Sequence, residues 1–61
     1  MNNNYACVVD FKNSILEAGA LSGVMLEGAN VRRSNNRYVI TRLSKETFDY
    51  LQTIARYFRA I

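Results

Sequence analysis

The chain has no histidine, no proline and no tryptophan, and its single cysteine is Cys7. Each absence removes a class of chemistry. Without histidine, the commonest general acid and base at neutral pH is missing. The five carboxylates, Asp10, Glu17, Glu27, Glu46 and Asp49, are scattered, and no spacing forces any two of them together. One thiol and no imidazole provide neither a structural zinc ligand set nor an intramolecular disulfide. Gly19, Gly23 and Gly28 are not followed by the lysine and hydroxyl residue of a phosphate-binding P-loop. Cys7 falls within a β-rich run on its apolar face, where a free thiol behaves as a small hydrophobe. A protein that is not an enzyme and carries neither metal nor cofactor is therefore expected. There is no run of about 18 apolar residues to span a bilayer, and Met1-Asn2-Asn3-Asn4 lacks the basic-then-apolar order of a secretory signal. The lone thiol agrees with a reducing compartment, so a cytoplasmic location is expected.

What is present is an apolar content of 49% in 61 residues, enough for one domain over residues 1–61 with a flexible start at residues 1–4. A domain of this size buries only about 60% of the surface its unfolded chain exposes. Disulfides, metals or self-association are the usual supports. With the first two missing, a homodimer is expected. Charge is unevenly placed: Lys12 stands against Asp10, Glu17 and Glu27 in residues 1–31, a net of −2, whereas residues 32–61 carry seven cations against Glu46 and Asp49, a net of +5. Such asymmetry steers anionic partners towards one region.

Along the chain, Tyr5 to Phe11 alternates Tyr5, Cys7, Val9 and Phe11 with Ala6, Val8 and Asp10, which predicts a first strand mostly buried on both faces. Asn13 or Ser14 then caps a helix whose inward positions are Ile15, Ala18, Leu21 or Ser22, and Met25. Gly23 and Gly28 are alternative stops, so residues 24–27 are open to helix or strand. Residues 29–43 read as a hairpin turning at Asn35-Asn36, a pair suited to a type I′ turn. With that tip, Val31 faces Ile40 and Arg33 faces Tyr38, whereas a three-residue tip would pair Val31 with Val39 and Arg33 with Arg37. Ser44 caps a last helix from Lys45 to Ala60, with Glu46 in its first turn and Arg56 and Arg59 near its end, as the macrodipole favours. The expected fold is α+β, a β-α-β-β-α order with a three-stranded, mainly antiparallel sheet and two helices packed on one face.

Two features point to binding. Arg32, Arg33 and Arg37 crowd the hairpin tip, with Tyr38 and Arg42 further along, a basic and aromatic set able to contact a protein or phosphates. The last helix as read has an apolar arc wider than a single sheet contact requires, and Tyr50, Tyr57 and Ile61 at its margin are the expected self-association surface. Size and asparagine-rich composition resemble, in general character, the small accessory proteins of phages and mobile elements. The function expected from sequence is that of a regulator or inhibitor binding another protein, with nucleic-acid binding through the arginine-rich hairpin as the alternative.

Overall fold

A computed structural model describes residues 3–61, so the expected flexible start at residues 1–4 lies partly outside the described residues. Over these residues the order is β1 (Tyr5–Phe11), α1 (Ser14–Leu26), β2 (Asn30–Ser34), β3 (Arg37–Leu43), α2 (Lys45–Ile54) and β4 (Ala55–Ala60). The strands form one sheet in the order β2-β3-β1-β4, and every neighbouring pair is antiparallel. β3 separates β1 from β2, and β1 separates β3 from β4, so two β-α-β units interlock in a split β-α-β arrangement. The α+β class holds. The sheet has four strands rather than the expected three.

The extra strand comes from the segment expected to finish the last helix. α2 stops at Ile54, and Ala55 takes extended angles (φ −81°, ψ 144°) with no loop between helix and strand. Thr53 and Ile54 are β-branched, with only moderate helix propensity, and the Thr53 hydroxyl donates to the Tyr50 carbonyl at 2.7 Å. Beyond them, Tyr57 and Phe58 favour extended backbone. Pairing settles the matter, because β1 without β4 would leave one edge of its backbone donors and acceptors unmatched. Tyr57 therefore stands on a strand and not on a helix margin.

α1 starts at Asn13, whose side chain accepts from the Leu16 N–H at 2.9 Å. It runs through to Leu26, so residues 24–26 are helical and Glu27 is the cap. Gly28 at φ 93° donates to the Met25 carbonyl and Ala29 donates to that of Val24. This crossed pair of bonds is the Schellman ending, for which a positive-φ glycine is suited. The face expected to point inward does not: Ile15 is 83% exposed and Met25 62%, while Ala20 and Val24 are buried. Glu17 is the only charged residue in α1. Apolar periodicity alone therefore selects no side, and polar fasteners fix the rotation. Tyr38 donates its hydroxyl to Glu17 at 2.8 Å. Glu27 accepts from the Ser44 N–H at 2.8 Å and from the Thr47 hydroxyl, tying the end of α1 to the start of α2.

Cys7, Val9, Phe11, Ala20, Val24, Ile40, Leu43 and Leu51 form the buried core, to which β1, β3 and both helices contribute. Both helices thus cover the same side of the sheet. Tyr5, Phe48 and Phe58 extend the core, with ring centroids 5.1 Å apart in each successive pair. The other side of β1, expected to be buried too, is uncovered: Ala6, Val8 and Asp10 are all half-buried.

Candidate functional site

The uncovered side of the sheet carries two rows of side chains that follow from strand register. Arg32 pairs with Val39, Val39 with Val8 and Val8 with Arg59, so one row reads arginine, valine, valine, arginine across all four strands. The adjacent row contains Ser34 opposite Arg37 and Asp10 opposite Tyr57. Alternation along each strand puts both rows on one face. A register irregularity between Asp10 and Phe11 gives β4 an extra residue there. Arg56 occupies that bulge, and its Nη2 donates to Asp10 Oδ2 at 2.7 Å. Four guanidinium groups from three strands therefore share this face with one carboxylate. The remaining acids, Glu17, Glu27, Glu46 and Asp49, belong to the helices or their caps.

Asp10 is already committed. The hydrogen bond from Arg56 outweighs a modest desolvation cost, with help from the Arg56 charge, the Phe11 backbone N–H and the Arg37 charge, and holds the carboxyl below the ordinary aspartate range. Arg37 lies over the Tyr57 ring, its guanidinium carbon 3.8 Å from the ring centroid, a cation–π stack that bridges β3 and β4. Around these groups lies an open concavity of about 570 Å³ whose lining includes Val8, Val39, Arg37, Arg56 and Arg59. Asn35 and Asn36 at the hairpin tip rim it. The hairpin has the register expected of a two-residue tip, with Arg33 facing Tyr38. Asn35 alone of the pair has positive φ (57°), where a type I′ turn would need both.

Neither a protein-family model, nor a curated protein, nor a solved structure matches this chain.

The residues singled out from sequence are divided. Arg32 and Arg37 stand on the open face. Arg33 and Tyr38 face the helices: the Arg33 guanidinium carbon is 5.6 Å from the Tyr38 ring centroid, and the Tyr38 hydroxyl is taken by Glu17. That hydrogen bond, with burial, raises the phenol above its ordinary range. Arg42, at φ 64° in the sheet's second register irregularity, between β1 and β3, lines a separate shallow depression with Asn4 and Gly28. Tyr50, Tyr57 and Ile61 do not share one helix margin. Tyr50 is on α2 and 55% exposed, Tyr57 is on the opposite side of the sheet, and Ile61 follows β4 with its N–H bonded to the Ala6 carbonyl. Sequence reasoning missed Arg56 and Arg59 as site residues, because a helical reading of residues 55–60 made them macrodipole partners. The alternation of Phe58 and Ala60 with Tyr57 and Arg59 was the available signal, and Ala55 falls out of step with it because of the extra residue at Arg56. Cys7 is wholly buried, and burial pushes its thiol up to about 11, so it packs as a hydrophobe. No helix among the described residues is long and apolar enough to cross a membrane.

Proposed function

We propose that this protein is a non-catalytic binding module that takes the phosphate backbone of a nucleic acid across the open face of its sheet. The observation that carries the reading is the gathering of Arg32, Arg37, Arg56 and Arg59 around the Val8 and Val39 strip, with Asp10 as the only acid among them. Guanidinium groups suit phosphate oxygens because their planar fork bonds two oxygens at once. An uncovered sheet face accepts an extended chain without rearrangement, and asparagine amides at the rim add neutral donors. The protein-partner reading, first choice from sequence, takes second place because a spread of arginines over an open sheet face suits an extended phosphate backbone.

The test is binding of a labelled oligonucleotide, followed by fluorescence anisotropy between about 50 and 200 mM salt. The logarithm of the affinity should fall linearly with the logarithm of salt, by about 0.7 per phosphate contacted on a single strand. Arg59→Ala should weaken binding and flatten that slope. Absence of binding at the lower salt sinks the nucleic-acid reading and leaves an acidic protein surface as the partner for this face.

Self-association belongs to the same proposal, at a different place. A core of eight buried residues without a disulfide is small for independent stability, and α1 is apolar nearly all round, unlike a helix that meets only water on one side. A second copy meeting α1 at Ile15, Met25 and Leu26 is what sedimentation should detect. Leu26→Glu should return the chain to a monomer, and a monomeric parent chain refutes the idea.

A further inference from the structure

Phosphate binding by arginines accounts for the charge of the open face but not for the arrangement of Arg37. An exposed guanidinium that served only as a counter-charge would gain most by standing out into solvent. Here it crosses towards β4 and lies on the Tyr57 ring at 3.8 Å. Its path is set by register: β1 separates β3 from β4, and Asp10 of β1 is directly opposite Tyr57. The Asp10 carboxylate, held by Arg56 at 2.7 Å, also attracts Arg37. Arg37 is thus held by the ring, and the Asp10 charge adds a weaker attraction. Arg37 is exposed and lines the concavity, so the side of its guanidinium away from the ring is open to a stacking partner, and part of its rotamer freedom is given up before any ligand arrives.

We infer that the Arg37–Tyr57 stack is a preformed platform for an unpaired nucleobase, so that the ligand is a single strand and not a duplex. The inference rests on the proposed nucleic-acid reading and deepens it. Bases stack on aromatic rings and on arginine planes when they are free of a partner strand, whereas a duplex presents its phosphates and groove edges and keeps its base planes covered. The Val8 and Val39 pair beside the platform supplies an apolar floor on which a neighbouring base rests. Arg32 and Arg59, at the two ends of that row, reach the backbone on either side.

The experiment compares oligonucleotides of equal length and phosphate count with the intact chain: a single strand, the same strand in a duplex, and an abasic strand. The platform predicts affinity for the abasic strand at least about five-fold weaker than for the single strand, from the loss of one stacked base. Stacking should also quench tyrosine fluorescence, which no tryptophan masks. Arg37→Lys preserves the charge but not the plane, and should shrink the ratio of single-strand to abasic affinity from about five-fold towards one. Tyr57→Phe should retain the preference and Tyr57→Leu should lose it. Equal affinity for the abasic and base-bearing strands, or a duplex bound as tightly as the single strand, overturns the platform and leaves the phosphate reading intact. If none of the three binds, the nucleic-acid reading falls and the platform falls with it.

Discussion

Two surfaces of this molecule lie open, and they differ in kind. The outer side of α1 is apolar and neutral, with Ile15 83% and Leu26 90% exposed, and no register or hydrogen bond organises those side chains. The open side of the sheet is basic, and its side chains are held: Arg37 by Tyr57, Arg56 by Asp10. Exposure alone says little about function, since apolar atoms make up more than half of most protein surfaces. What distinguishes the sheet face is that charges from separate strands are held by partners on neighbouring strands. On the proposed reading, the helical layer stabilises the fold and the sheet's far side serves recognition.

Changes that separate these two roles should differ most in stability. Leu51→Ala removes a wholly buried side chain between α2 and the sheet, and should cost about 3 kcal/mol in urea unfolding, enough to leave a domain this small largely unfolded. Glu27→Ala, which unfastens α1 from α2 without touching the sheet face, should cost about 2 kcal/mol by the same measurement, because the hydrogen bonds lost are to a charged group. If instead these two changes spared stability and abolished oligonucleotide binding, the division of labour would be wrong.

Acid should act on both sides. Burial pushes the Glu27 carboxyl up, but the Ser44 and Thr47 hydrogen bonds outweigh it, so its folded value lies below the ordinary 4.5. Asp10, bonded by Arg56, lies below 3.8. For a lowered carboxylate the stabilisation is present above the unfolded value and disappears as pH falls through the folded one. Melting temperature should therefore hold steady near neutrality and drop progressively below those ordinary values. Glu27→Gln should remove part of the drop, and an unchanged acid limb in that variant would show that Glu27 is not its source.

The smallest stability effects belong to the two open surfaces. Arg59→Ala and Ile15→Glu should each change unfolding free energy by no more than about 0.5 kcal/mol. They should part company in binding: Arg59→Ala lowers the salt slope by about 0.7, whereas Ile15→Glu leaves oligonucleotide affinity as it was. A loss of affinity in Ile15→Glu would mean that the helical layer takes part in recognition.

Local chemistry made much of this fold legible from residues alone. Alternation identified the first strand though not that one of its sides is open, Asn13 or Ser14 and Ser44 marked the helix starts, and the asparagine tip offered the observed hairpin register as one of two. Two features were not local. Which side of α1 turns inward depends on Glu17 and Glu27 finding partners 21 and 17 residues away, and an almost uniformly apolar helix gives no hint of them. Residues 55–60 satisfy a helical period through Phe48, Leu51, Ile54 and Phe58 as well as a strand alternation, and only the vacant edge of β1 decides between them. The site was half visible for the same reason. The hairpin supplied Arg32 and Arg37, but Arg56, Tyr57 and Arg59 join them only once the last segment becomes a strand.

The joint between α2 and β4 has no slack, since Ile54 ends the helix and Ala55 begins the strand. The single extra residue at Arg56 therefore acts as a reading frame for everything after it. A strand shifted by one residue presents its opposite side. Inserting one residue at the joint would turn Tyr57 and Arg59 in among the helices and push Phe58 out to water, with no change in the composition of β4. Which side of the sheet is sticky and which is charged is thus decided by a count, made at one position.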